Sequence, residues 1–239
     1  MADISASKES FLQTEVGTLE RVLLRHARDA FGSSELVKVH WKGLNYLSQP
    51  RFDEACREYD QFAELLERLG VSIEWMTGGD LGLDSIYVRD ASIISDRGVI
   101  LCAMGKGTRS LEPYAQGRVF ERLGVPVHGQ IERTGTIEGG DVTWLDYRTL
   151  AVGRGYRTNG SGIGQLRRLL PDVDITCVDL NEHKYVIPCF NKISSDFSNL
   201  NIIPGSSYDV GLPQLIKKNI NFDLIHIDGD HRLEGARKD

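Results

Sequence analysis

The chain has 239 residues, with 28 Lys and Arg against 34 Asp and Glu, a net charge of -6 and an ordinary globular share of apolar residues, 41%. The acidic balance and the lack of a basic run argue against a nucleic-acid surface, and no stretch approaches the ~20 apolar residues of a membrane helix. Met1–Leu12 has neither the basic start nor the apolar stretch of a secretion signal, so the expected compartment is the cytoplasm, with Cys56, Cys102, Cys177 and Cys189 as reduced thiols lacking C-x-x-C spacing.

Leu19–Leu24, rich in Val and Leu, reads as a first strand. Pro50 opens an amphipathic helix running to Leu69. Phe52, Ala55, Cys56, Tyr59, Phe62, Ala63, Leu66 and Leu69 recur on one face, and Gly70 suits the C-terminal cap. Val71–Met76 is the next strand. Ala91–Ser95 and Gly98–Ala103 form a hairpin across an Asp96-Arg97 turn, followed by a helix from about Glu112 to Leu123 and a strand from Val125 to His128. The order then recurs. Val142–Leu145 and Thr149–Val152 read as a hairpin, Ser161–Leu170 as a helix stopped by Pro171, and Asp174–Val178 as a strand. A local echo accompanies the repeat, Glu67-Arg68-Leu69-Gly70-Val71 against Glu121-Arg122-Leu123-Gly124-Val125. Repeats of roughly 50 residues imply stacked or radially arranged units rather than one doubly wound sheet.

After Leu180 the character changes. Lysine overtakes arginine, and Asn181, Asn191, Asn199, Asn201, Asn219 and Asn221 crowd together. Leu200–Ile203 reads as a strand, Asp209–Lys218 as a helix and Phe222–Ile227 as a buried strand, a plain Rossmann-like β-α-β rhythm without hairpins. The expected division is therefore 1–180 and 181–239, with Asp239 falling inside the second unit.

Chemistry gathers around Ile137-Glu138-Gly139-Gly140-Asp141 and the earlier Asp84-Ser85-Ile86-Tyr87-Val88-Arg89-Asp90. The glycines let backbone turn tightly or approach a neighbour closely. Carboxylates around such a turn suit a guanidinium, whose planar fork of donors matches carboxylate oxygens two by two. Other readings fit the same residues. E-G-G-D is also an ordinary turn before a strand, Arg89-Asp90 a surface pair, and Arg157-Thr158-Asn159 a turn ending in a helix cap.

Taken together, D-S-I-Y-V-R-D, E-G-G-D-V and G-R-G-Y-R-T-N resemble the guanidine-modifying superfamily of dimethylarginine dimethylaminohydrolases, arginine deiminases and amidinotransferases, over about residues 18–180. The resemblance implies an α/β propeller of ββαβ units, of which about three of five are recognisable, and a small guanidino substrate. It makes Asp90 the carboxylate that holds the guanidinium and Glu138 a second, catalytic-site carboxylate next to the guanidinium and the histidine. Asp84 becomes a further substrate contact, and Arg157 the grip on the substrate's α-carboxylate, with Arg109 a second candidate for that task. The implied reaction uses a cysteine thiolate as nucleophile and a histidine as acid and base, with no metal or organic cofactor. The family places both groups beyond residue 180. There His183 and Cys189 have the right chemistry without the family's surrounding residues, so the expectation is a guanidine C–N hydrolase or amidinotransferase relative with impaired turnover. A non-catalytic binder of guanidino compounds is the alternative.

A second resemblance lies in Phe222-Asp223-Leu224-Ile225-His226-Ile227-Asp228-Gly229-Asp230-His231, which is similar to the fourth-strand region of class I S-adenosylmethionine methyltransferases. Asp228, Asp230 and His231 would there position a substrate hydroxyl or a divalent metal. Gly160-Ser161-Gly162-Ile163-Gly164 and Asp179 sketch half of a dinucleotide-type site, although these glycines do not directly follow their strand. A methyltransferase-type site is thus a further alternative for the C-terminal half.

Overall fold

The computed structural model describes residues 14–179, 187–188, 191–192, 195 and 200–204. Its strands form three separate small sheets rather than one wound sheet. In the first, β1 (Arg21–Leu24) pairs in parallel with β2 (Ser72–Trp75). Between them come α1 (Ala27–Phe31), α2 (Ser34–His40) and the long α3 (Phe52–Arg68). The two short helices have no counterpart in the sequence reading, because local caps rather than periodicity define them. His26 Nδ1 accepts the Arg28 N–H, and the Ser33 hydroxyl accepts the Leu36 N–H.

The second sheet holds β3 (Ser92–Ser95) and β4 (Gly98–Leu101) as the expected antiparallel hairpin. Helix α4 (Glu112–Arg122) then crosses back to β5 (Val127–Gln130), which runs parallel to β4. The third repeats the plan, with β6 (Val142–Trp144) and β7 (Thr149–Gly153) antiparallel, then α5 (Gly160–Leu169), then β8 (Asp174–Asp179) parallel to β7. Beyond residue 180, β9 (Leu200–Pro204) adds a parallel strand to β8 in this same sheet.

Two strands begin later than the sequence predicts, for one physical reason. Both copies of the Glu-Arg-Leu-Gly-Val echo are helix stops of the Schellman type. Gly70 and Gly124 have φ of 83° and 71°. Their N–H groups donate to Glu67 and Glu121, while Val71 and Val125 donate to the carbonyls of Leu66 and Phe120. The valines therefore close helices, and β2 and β5 start at Ser72 and Val127. A shared apolar core joins the second and third sheets. Ile93, Ile100 and Met104 pack with Ile137, Val142, Leu150, Ile163 and Leu166, each nearly inaccessible. The predicted helix 209–218, the strand 222–227, His183, Cys189 and the Asp228-Asp230-His231 cluster lie outside the described residues.

Candidate functional site

Three short 3-10 turns carry the acids. Leu83–Ile86 holds Asp84 and Val88–Ala91 holds Asp90, while Gly139–Asp141 follows directly on Glu138. The last two turns lie against each other, and Gly139 is what lets them. A Cβ at this position would stand 2.1 Å from the Arg89 carbonyl oxygen and 2.6 Å from that of Ser92. Gly105 allows a second close approach, where a Cβ would meet the Arg157 Cα at 2.5 Å. That approach brings the Gly105 and Lys106 N–H groups onto Glu138 Oε1 at 3.0 and 3.3 Å.

Glu138 is 1% exposed. Burial pushes its carboxyl above the usual glutamate range, opposed by the nearby Arg157 guanidinium and reinforced by Asp90. Its second oxygen, Oε2, has Arg157 Nη1 at 3.2 Å but no partner in hydrogen-bonding geometry. Arg157 Nη2 also lies 3.7 Å from Asp141 Oδ1. The buried Thr158 hydroxyl links these acids, accepting from the Glu138 N–H at 3.1 Å and donating to Asp141 Oδ2 at 2.5 Å.

Asp90 accepts from Arg109 Nη1 at 2.5 Å. Arg109 is only 4% exposed and also donates to both carboxylate oxygens of Glu112, at 2.9 and 2.7 Å, and to the Tyr87 carbonyl at 3.0 Å. Asp84 pairs with Lys106 Nζ at 2.5 Å, which reaches the Leu44 carbonyl as well. Asp84, Asp90, Arg109, Glu138 and Arg157 all line one cavity of about 1020 Å³, together with Lys106. Tyr59, Phe62 and Ile86 give it an apolar wall. The five residues singled out from sequence thus come together.

Sequence reasoning missed Lys106, which no motif marks, and Glu112. The latter had a signal, an acid three residues after Arg109 at the start of a helix. Two other features settle alternatives left open, the first as a tie between turns rather than a surface pair and the second as the helix cap. Arg89 donates to Glu15 Oε2 and the Val142 carbonyl at 2.8 and 2.6 Å, tying the two turns together. Asn159 caps α5 through the Gly162 N–H, and Gly162 lies so close to Thr136 that a Cβ would meet its carbonyl oxygen at 2.1 Å. Capping and packing therefore account for this glycine-rich helix start, without a dinucleotide.

Comparisons with known proteins point the same way. The family model described as Arginine deiminase matches residues 84–178. A dimethylarginine dimethylaminohydrolase of Streptomyces coelicolor is 33% identical over 113 residues, covering 47% of this chain and 43% of the relative. The uncharacterised YkgA of Bacillus subtilis is 25% identical over 237 residues, 97% of this chain and 79% of YkgA. Among solved structures, the Pseudomonas aeruginosa dimethylarginine dimethylaminohydrolase complexed with citrulline superposes with a TM-score of 0.56 at 18% identity, over 92% of this chain and 97% of that one. The findings support the arginine deiminase and dimethylarginine dimethylaminohydrolase superfamily.

The chain spans less than half the length of its curated relatives from Aeropyrum pernix and S. coelicolor. The methyltransferase-like reading of the tail gains no support from these comparisons. Among the described residues no helix is long and apolar enough to cross a membrane, and no group of three His, Cys, Asp or Glu side chains is placed to hold a metal ion.

Proposed function

We propose that the cavity binds a guanidino compound, as a relative of the guanidino-group hydrolases built from propeller-type ββαβ units. Asp90 and Glu138 take the cation, Asp84 contacts it from the side, and Arg157 takes an anionic tail on the ligand. Arg109 acts through Asp90, since its hydrogen bonds to Asp90, Glu112 and Tyr87 fix the carboxylate in place. The observation that carries this reading is Glu138, which lines the cavity and whose buried Oε2 makes no hydrogen bond. A buried carboxylate oxygen in that state is costly unless a donor reaches it, and a planar guanidinium is such a donor.

Turnover is expected to be poor. Attack on a guanidinium carbon needs a thiolate held close and an acid for the leaving amine, and orientation alone can be worth ~7–11 kcal/mol. Cys56 packs among α1, α3 and their neighbours, and Cys102 lies buried beneath the acid turns with its thiol pushed up by burial. Neither lines the cavity. His183 and Cys189, the candidates for these tasks, stand in contexts unlike the family's.

Calorimetry with arginine, asymmetric dimethylarginine and agmatine tests the reading, alongside a citrulline assay. Charge-assisted contacts are worth ~1.5–3 kcal/mol each. Asp90→Ala and Glu138→Gln should therefore each weaken binding by more than about fivefold with the fold retained. Unchanged affinity in both would remove the site, and robust turnover lost on Cys189→Ser would overturn the expectation of impairment.

A further inference from the structure

Lys106 joins two of the acids on the cavity wall. Its main-chain N–H, with that of Gly105, is held on Glu138 Oε1 at 3.3 and 3.0 Å. Its side chain reaches Asp84 Oδ2 at 2.5 Å and the Leu44 carbonyl at 3.3 Å. Asp84 is 7% exposed, with the buried Tyr46 hydroxyl beside it, so water screens this pair weakly and separating its charges is costly. An ammonium group carries three donors. Asp84 and Leu44 engage two of those on Lys106, whose side chain lines the cavity 31% exposed. The third is left for a bound molecule.

The cavity wall is short of acids. Among the described residues it carries three, Asp84, Asp90 and Glu138, against four cations, Arg89, Lys106, Arg109 and Arg157. Asp90 is bound to Arg109, which is itself buried and held by Glu112 and the Tyr87 carbonyl. Glu138 Oε2 is buried without a hydrogen bond and suits one cationic head. A second positive group on the same ligand needs another carboxylate. Asp84 is the one that remains, and Lys106 holds it.

We propose that Lys106 is a specificity-determining residue of the cavity. By holding Asp84 it withholds the third carboxylate from the ligand, and it offers its remaining N–H to a ligand oxygen. The substrate class is therefore guanidino compounds whose chain carries no ammonium group, in preference to their amine-bearing counterparts. This narrows the part given to Asp84 above, which meets the ligand through Lys106. A ligand ammonium would stand beside the Lys106 ammonium without a counter-charge, or would have to draw Asp84 out of its pair. Either costs binding, since like charges repel in a poorly screened cavity and a buried carboxylate is not easily parted from its cation. The selectivity rests on the guanidino-binding reading above, whereas the Lys106–Asp84 pair does not.

Two measurements test it. Calorimetry compares matched ligands that differ only in an ammonium group, arginine with δ-guanidinovalerate and agmatine with butylguanidine. The ammonium-free member of each pair should bind more tightly, by about fivefold or more, the worth of one partly screened charge interaction. Lys106→Met frees Asp84 and should close or reverse both gaps, whereas Lys106→Arg keeps the charge and should preserve them. Equal or tighter binding of arginine and agmatine by the unsubstituted protein would overturn the assignment, as would gaps that Lys106→Met leaves in place. The second measurement needs no ligand. In trace acetylation read by peptide mass spectrometry, Lys106 should react several-fold more slowly in the unsubstituted protein than in Asp84→Asn, because an ammonium shared between a carboxylate and a carbonyl is a poor nucleophile. An equal rate in the two would overturn the pairing. Binding of none of the four ligands, with the rate difference present, would instead remove the guanidino-binding reading and its selectivity while leaving the pairing intact.

Discussion

The second and third sheets place the same parts in the same order and hold them with different strength. Each has an acid-bearing turn, a hairpin, an arginine-bearing loop, a helix and a parallel return strand. In the second, Arg109 is sealed between Asp90 and Glu112, whereas in the third Arg157 stands a third exposed against Glu138 and Asp141. A single acid at the start of α4, absent from the start of α5, goes with a buried arginine in the second sheet and a part-exposed one in the third. Breaking the Arg109 pair leaves a guanidinium that water cannot reach, whereas Arg157 is already part solvated and the buried member of its pair is Glu138.

The largest effect expected from breaking this contrast is on stability. Glu112→Ala leaves the Arg109 guanidinium in the interior with Asp90 as its remaining carboxylate, and should cost about 3–5 kcal/mol in urea denaturation. Arg157→Met should cost less, because the guanidinium it removes is a third exposed, although it leaves the buried Glu138 carboxyl short of a counter-charge. Similar losses for the two would erase the distinction.

The seam between the two acid turns comes next. Gly139→Ala drives a Cβ into two carbonyl oxygens, with backbone on both sides unable to yield cheaply, and should lose about 1–3 kcal/mol and loosen Glu138 and Asp90 together. Gly155, where an added Cβ meets nothing within 4 Å, serves as the control, and its change to Ala should stay within about 0.5 kcal/mol. Equal thermal shifts in the two variants would contradict the close approach.

The smallest effect is on pH dependence. Burial raises the Glu138 carboxyl in the folded protein above its unfolded value. The folded state therefore holds this proton more readily, and the group's contribution to stability falls as pH rises through the window between the two values. Guanidinium binding has the opposite slope, since only the ionised carboxylate attracts the cation. Affinity should fall as pH drops through that window, by at most about tenfold per pH unit, and Glu138→Gln should flatten the profile. Calorimetry across acidic and neutral buffers would show either the slope or its absence.

The sequence by itself determined the elements whose cause is local. Period, turn residues and helix stops announced the repeated hairpin, helix and strand, and the Glu-Arg-Leu-Gly-Val echo marks two real Schellman stops. The same locality limited the reading at α1 and α2, whose short helices depend on caps at His26 and Ser33 rather than on a face of apolar residues. Five residues that line one cavity, Asp84, Asp90, Arg109, Glu138 and Arg157, were legible because acid and arginine types recur in recognisable motifs. Which of them face each other was not. That Glu112 locks Arg109, that Lys106 covers Asp84, and that Gly139 and Gly105 are close-approach points all depend on segments tens of residues apart meeting in space. Only the tertiary structure decided those pairings, and with them which charges are sealed from water. Burial and partner number set the strength of a charge pair, and neither is a property of the chain taken one residue at a time.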